Sequence, residues 1–261
     1  MRKQSGYGWL LMSLLVTYGS TPAAAQTQNC SPPGPLLTLV TDDGSLEDYT
    51  RLYPLLREKG VPAVAAIITD FVDNPAAPPP ARMNSAQILE LSRAGWEIAS
   101  HTRSHHLLTR LDDVTLEAEL RGSRRELEHL GLKVTTVVYP EGEDNPRVQA
   151  AARRHYQAAL DVDGEVNTWP PREAWRLSRV SLGSWTRPGK SGEPGDTLDF
   201  YKARVDEAVQ QCGWLIFALH PFSPDHDEVQ HSYLGQVIDY AKGRGVRFTT
   251  VWGALEALES R

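Results

Sequence analysis

The sequence is short of the features that would commit it to nucleic acid or to a bilayer. No run of Lys and Arg exceeds two residues, and 27 basic side chains face 33 acidic ones, so the cationic footprint that a phosphate backbone requires is missing. Beyond residue 25 no segment is long and apolar enough to cross a membrane. Cysteine is reduced to Cys30 and Cys212, and neither stands where it could ligate a metal beside other donors. The Pro- and Gly-punctuated stretches 74–80, 169–172 and 184–195 read as loops, and none is long enough to link two domains. What remains, 41% apolar residues, 23% charged residues and seven Trp in 261 positions, describes an ordinary soluble globular chain able to bury a large core.

The start of the chain reads as a processing signal. Arg2 and Lys3 are basic, 9–16 (WLLMSLLV) is a short apolar run, and Ala23-Ala24-Ala25 supplies the small residues that a signal peptidase accepts. The run is about half the length of a bilayer span, which argues against an uncleaved anchor. The expected organisation is a signal peptide over 1–25 and one domain over 26–261, in a protein exported to the periplasm or the extracellular space and not integral to the membrane. Cys30 and Cys212 each precede an apolar strand-like run, at what would be the same end of a parallel sheet. An oxidising compartment permits a bridge between them, with two unlinked thiols as the alternative. Oligomeric state leaves no mark on the sequence, and a monomer is the default.

Short apolar runs alternate with stretches of helical period, the pattern of parallel strands joined by crossover helices. Strands are expected at 36–40, 63–69, 96–100, 135–139, 158–160, 177–182, 214–219 and 246–251. Ser45 can cap a helix with Glu47 and Asp48 in its first turn and Gly60 at its end, and 85–94 repeats the device before Gly95. The longest periodic stretches are 113–129 and 198–211. The fold class is therefore α/β, a single-domain distorted (β/α) barrel of about seven parallel strands, with an open doubly wound sheet as the alternative. In both, chemistry collects after the carboxyl ends of the strands.

Applied strand by strand, that rule selects a few residues. The first strand ends in Thr41-Asp42-Asp43-Gly44, where two adjacent carboxylates leave in different directions, so that one can bind a cation while the other stays free as a base. An ordinary Asp-Gly turn is the competing explanation. The third strand ends in His101-Thr102-Arg103-Ser104-His105; two histidines four apart share one side of a helical turn and can reach one metal. His106 points elsewhere. Asp43, His101 and His105 together supply one oxygen and two nitrogens and leave a position for water, the composition of a catalytic rather than a structural zinc site. The expected cofactor is one divalent ion, Zn2+ first, with Co2+, Ni2+ or Mn2+ acceptable to the same donors. His220 follows the apolar run 214–219 and is a candidate general acid.

With these residues in view, the chain resembles the polysaccharide deacetylases of the NodB-homology type, carbohydrate esterase family 4, from about Leu36 to Leu258. Thr41-Asp42-Asp43-Gly44 is similar to the family's first motif, in which the first Asp is the catalytic base and the second a metal ligand. Residues 95–105 resemble the second, whose histidines complete the metal triad and whose Thr after the first His helps hold the loop. Leu219-His220 resembles the last, with His as general acid. Tyr139-Pro140-Glu141-Gly142 departs from the commoner middle motif and is closer to the Tyr-Pro-x-Gly variant of poly-N-acetylglucosamine deacetylases. That variant lacks the orienting Arg in this motif, and Arg179, on a later strand where related members carry an Arg, becomes the candidate partner of Asp42. The resemblance implies that the Glu141 amide faces a developing oxyanion and that Asp42 and His220 stand on opposite sides of the bound acetyl; Trp185, Tyr139 and Trp169 could stack on sugar rings at the barrel mouth, with ordinary packing of loop aromatics as the alternative. The implied reaction is metal-dependent hydrolysis of acetamide groups on an N-acetylglucosamine polymer, with release of acetate. Action on O-acetyl glycan or a small amide, or an inactive glycan-binding relative, are the alternatives.

Overall fold

The computed structural model describes residues 30–183, 185 and 194–259. The expected signal peptide and most of the 184–195 loop lie outside the described residues. The strands are β1 (Leu36–Thr41), β2 (Val64–Ile67), β3 (Glu97–Ser100), β4 (Thr136–Val138), β5 (Ala158–Leu160), β6 (Val180–Ser181), β7 (Trp214–Leu219) and β8 (Arg247–Phe248). They pair in the order β5-β4-β3-β2-β1-β7-β6, with β8 beside β1, and the pairings between strands are parallel. β1 runs along β7 for its full length, while its other edge is shared by β8 at Leu36–Leu37 and β2 at Val40–Thr41. A parallel bridge between Leu160 and Leu177 brings the segment before β6 against β5, which bends the sheet into the distorted (β/α) barrel that the alternation implies.

Side-chain parity explains why the strands read as unbroken apolar runs. Leu36 and Val40 of β1 and Trp214 and Ile216 of β7 fill the barrel interior, whereas Leu37, Leu39, Leu215, Phe217 and Leu219 face the helices outside. Both faces are covered, so every position must be apolar or internally bonded. Thr38 is the exception that obeys the rule: its Oγ1 donates to Thr249 O at 2.8 Å and accepts from Trp214 Nε1 at 2.9 Å. Full burial of one such Leu or Ile contributes about 1.5–3 kcal/mol, so a charge at Leu39 is the kind of single change that would break β1.

The helices are α1 (Tyr53–Lys59), α2 (Ser85–Arg93), α3 (Asp113–His129), α4 (Pro146–Ala152), α5 (Leu198–Gln211), α6 (Glu228–Gly243) and α7 (Val251–Glu259). Gly60 ends α1 in left-handed backbone (φ 62°), as its lack of Cβ permits. Ser45 does not cap this helix: its hydroxyl donates to Asp48 Oδ1 at 3.1 Å, and a π-helical turn (Asp48–Leu52) precedes α1. Asn84, not the helix's own first residue, caps α2 in a reciprocal bond with Gln87. The expected strand at 246–251 shortens to β8, because Thr250 Oγ1 accepts the Gly253 amide at 3.0 Å and starts α7 at Val251. Val251 and Ala254 then pack into the interior cluster with Leu36 and Trp214, at the amino end of the barrel. Cys30 and Cys212 are disulfide-bonded at that same end, with Cα atoms 5.5 Å apart. No helix among the described residues is long and apolar enough to cross a membrane.

Candidate active site

At the opposite end, the chain leaves β1 through two left-handed residues, Asp43 (φ 73°) and Gly44 (φ 63°). The backbone at Gly44 favours glycine, and a Cβ there would stand 3.0 Å from Ile67 Cδ1, a tight contact. Arg82 Nη1 donates to Asp43 O at 2.9 Å and Met83 N to Gly44 O at 2.9 Å, which fixes the turn from the side. After β3, Thr102 (φ 66°) and His105 (φ 63°) are also left-handed, and Thr102 Oγ1 accepts the His105 amide at 3.1 Å. The two histidines are therefore not carried on a helical turn, as their spacing suggested; an irregular loop brings them together. His106 is exposed, with Nδ1 2.5 Å from Ser104 Oγ.

The ligand atoms converge. Asp43 Oδ1 lies 3.8 Å from His101 Nε2 and 3.6 Å from His105 Nε2, and one donor atom from each residue falls within 4.8 Å of the others. Ligands at about 2.1 Å from a tetrahedral Zn2+ stand roughly 3.4 Å apart, so the donor set and its spacing fit one such ion. His101 Nδ1 is 2.8 Å from the Val138 carbonyl; the carbonyl only accepts, so Nδ1 carries a proton and Nε2 is the ring nitrogen turned toward Asp43. Burial, and then the charge of His101, push the His105 imidazole below its ordinary pKa, toward the neutral ligating form.

Beside this triad Asp42 is buried and clamped. Arg179, itself 2% exposed, donates from Nη1 to Asp42 Oδ1 at 2.7 Å and Oδ2 at 2.9 Å, and from Nε to Asp161 O at 2.8 Å. Burial alone would raise the Asp42 pKa, but the Arg179 guanidinium, a hydrogen bond from His220 and the charges of His101 and His220 together hold it well below the usual carboxylate range. His220 Nε2 is 3.5 Å from Asp42 Oδ2. Thr41 of β1 pairs with Leu219 of β7, so Asp42 and His220 leave adjacent strands side by side.

These groups line a cavity of about 260 Å³ together with Glu141, Gly142, Val162, Ser181 and Trp185. Trp185 is 56% exposed and sets its ring edge-on to His220, 4.2 Å between centroids. Glu141 (φ 57°) and Gly142 (φ 68°) form a left-handed turn in which a Cβ on Gly142 would meet Val162 Cγ1 at 2.4 Å. The amides of Gly142 and Glu143 are bonded to Tyr139 O and Pro140 O.

Tyr139, Pro140 and Trp169 all stand away from the lining of this cavity. Tyr139 is fully buried with its hydroxyl on Trp175 O at 3.1 Å, and Pro140 is buried beside it, so neither offers a face to a ligand. Trp169 packs edge-on against Trp214, 5.7 Å between centroids, at the amino end of the barrel. Val162 and Ser181 were not foreseen, although both stand at the carboxyl ends of strands, where the rule already looked.

Sequence likeness to known proteins agrees with this geometry. The family model of the polysaccharide deacetylases matches residues 30–159. The chain belongs to the polysaccharide deacetylase family. This deacetylase-family chain is 26% identical over 169 residues to YxkH of Bacillus subtilis, whose name assigns it provisionally to the polysaccharide deacetylases; the match covers 64% of the chain and spans 57% of that relative's length. Its fold is shared by the carbohydrate esterase family 4 domain of a multidomain xylanase from the hindgut metagenome of Trinervitermes trinervoides (TM-score 0.60, 19% identity, 87% of this chain and 92% of that one). The family 4 carbohydrate esterase of Streptomyces lividans, solved with acetate, is similar too (TM-score 0.57, 15% identity, 82% and 91%).

Proposed function

We propose that the protein is a metal-dependent hydrolase that removes acetyl groups from an N-acetylated polysaccharide, an N-acetylglucosamine polymer, and that it works outside the cytoplasm. One observation carries this reading: an oxygen and two imidazole nitrogens within 4.8 Å of one another stand beside an ionised carboxylate that they do not use. Family membership supports the reaction, the Tyr139-Pro140-Glu141-Gly142 variant supports the polymer, and the Cys30–Cys212 disulfide supports an oxidising location.

Asp43, His101 and His105 would hold the ion, Zn2+ by the chemistry of the donors, and when bound it supplies Lewis acidity to the acetyl carbonyl and acidity to water. Asp42 takes the proton of the attacking water at a carboxylate oxygen, held in aim by the two Arg179 bonds. A carboxylate with so low a pKa is a weak base that yields the proton readily, and His220, whose Nε2 lies 3.5 Å from Asp42, donates its own proton to the leaving sugar nitrogen. An amine leaves only when protonated, whereas an alkoxide leaves more easily, so a positioned acid at His220 equips the site for amide substrates. The Glu141 amide, left over by the turn bonds of its neighbours, donates to the oxyanion, and Trp185 offers its exposed ring to the sugar.

Acetate release from N-acetylglucosamine oligomers, measured with and without chelator and after Zn2+ or Co2+ is restored, tests the proposal. Chelator-sensitive release is expected from the oligomers, with less from O-acetyl xylan. Metal bound without acetate release from any glycan would overturn it.

A further inference from the structure

The segment between the two histidines has no regular secondary structure and turns through left-handed backbone at Thr102 and His105; the bond from the His105 amide to Thr102 Oγ1 is internal to it, and its Thr102 and Arg103 carbonyls accept the Thr69 and Asp70 amides. One face of α3 holds its other side. Glu119, Gly122, Ser123 and Glu126 recur at i, i+3, i+4 and i+7, a single stripe along the helix, and each meets the end of β3 or the loop that follows. Ser100 Oγ donates to Ser123 Oγ at 2.8 Å, and Arg103 Nε donates to Glu126 Oε1 at 3.0 Å. A Cβ on Gly122 would lie 2.5 Å from Arg103 Cδ, so the missing side chain is what lets Arg103 lie across the helix.

Glu119 reaches deepest. It is 7% exposed; its Oε2 accepts the amides of Arg103 at 2.9 Å and Ser104 at 3.0 Å, and its Oε1 accepts Ser104 Oγ at 2.6 Å. A carboxylate buried on a core-facing stripe is destabilising unless its oxygens are satisfied, and two consecutive amides without a strand or helix partner need an acceptor. Each answers the other, and both amides lie between the two candidate ligands.

We propose that Glu119 is a positioning residue for the candidate metal centre: by gathering the Arg103 and Ser104 amides onto α3 it sets the loop path on which His101 Nε2 and His105 Nε2 both face Asp43 Oδ1. The proposal rests on the reading of Asp43, His101 and His105 as metal ligands. Such outer partners typically govern metal affinity by about 10–100-fold.

The test compares the metal-free wild-type protein with Glu119→Ala and Glu119→Gln. Zn2+ affinity is read by competition with a chromogenic chelator, coordination by the visible spectrum of bound Co2+, and fold by circular dichroism before metal is added. Glu119→Ala is expected to keep its fold, to bind Zn2+ about 10–100-fold more weakly and to give an altered Co2+ spectrum. Glu119→Gln, which keeps an oxygen for the two amides, is expected to recover most of the affinity. A folded Glu119→Ala with wild-type affinity and spectrum overturns the positioning role and leaves the metal reading intact. If Glu119→Ala does not fold, Glu119→Asp, with the carboxylate withdrawn by one methylene, replaces it: weakened Zn2+ binding supports the role and unchanged binding overturns it. Failure of the wild type to bind either ion overturns the metal reading, and this proposal with it.

Discussion

Asp42 at the carboxyl end of β1 and Glu97 at the amino end of β3 are acids withdrawn from water in the same barrel, yet their surroundings push them in opposite directions. Asp42 meets a guanidinium and imidazoles and stays ionised. Burial raises the pKa of Glu97, and its partners, Thr136 Oγ1 at 2.6 Å and the Trp252 amide at 2.7 Å, are neutral and only partly offset it. The ends differ in backbone as well. Of the seven non-glycine residues with positive φ among the described residues, Asp43, Thr102, His105, Glu141 and Trp185 belong to the cavity or its loops. Left-handed backbone destabilises an L-residue by about 1–2 kcal/mol, so the carboxyl end concentrates strain and charge. The amino end carries the disulfide, the α7 contacts and the Trp169–Trp214 pair. One end is built for chemistry at the expense of stability, the other for closure.

The sharpest way to break this contrast is Asp42→Asn. Acetate release is expected to fall roughly 10²–10⁴-fold while Zn2+ affinity measured by chelator competition holds; undiminished release would remove Asp42 from the base role. At the amino end the matching change is removal of the disulfide. Cys30→Ser with Cys212→Ser opens a link across 182 residues of sequence. Chain entropy then predicts a stability loss of at most about 5 kcal/mol in urea denaturation, with turnover per folded molecule unchanged.

Arg179→Met tests whether the two ends are electrostatically distinct. It leaves Asp42 buried without its cation, so about 3–5 kcal/mol of stability is expected to go. The Asp42 pKa should rise, moving the acid limb of the rate profile to higher pH; an unmoved limb would mean that Arg179 does not govern Asp42. In the wild type, Asp42 contributes stability above the ordinary carboxylate range that is lost as pH falls through its depressed folded pKa. Glu97 has the opposite sign. Its folded pKa is raised, so its contribution is fullest at low pH and falls as pH rises from the ordinary value toward the raised one. Glu97→Gln, the smallest effect, should gain by under about 1 kcal/mol on the wild type as pH climbs through that window, and a constant difference across the same urea titrations would refute the assignment.

The legible part of the site was the part written in contiguous residues. Asp42-Asp43-Gly44, His101, His105 and His220 follow strands whose apolar runs are plain, and each appears where a strand ends. Arg179 was located only through the family resemblance, on a later strand where related members carry an Arg. How His101 and His105 converge was misread, since spacing in sequence says nothing of the left-handed residues that replace a helical turn. Tyr139 was misread because a strand's last residue can face inward or outward, and a shift of one position reverses the answer. Glu119, Gly122, Ser123 and Glu126 lay in plain view at helical period, but a polar stripe looks like a solvated face until the loop it meets is known.

The cavity is assembled from two parts of the chain that appear at different times during synthesis. Asp43, His101 and His105 precede α3, whereas Arg179 comes just before β6 and His220 just after β7. If the proposed reading holds, a nascent protein would carry every candidate metal donor well before it carries the clamp on Asp42 or the neighbouring imidazole. Occupancy by metal and competence to hydrolyse are then separate milestones of maturation, and the first is no proof of the second.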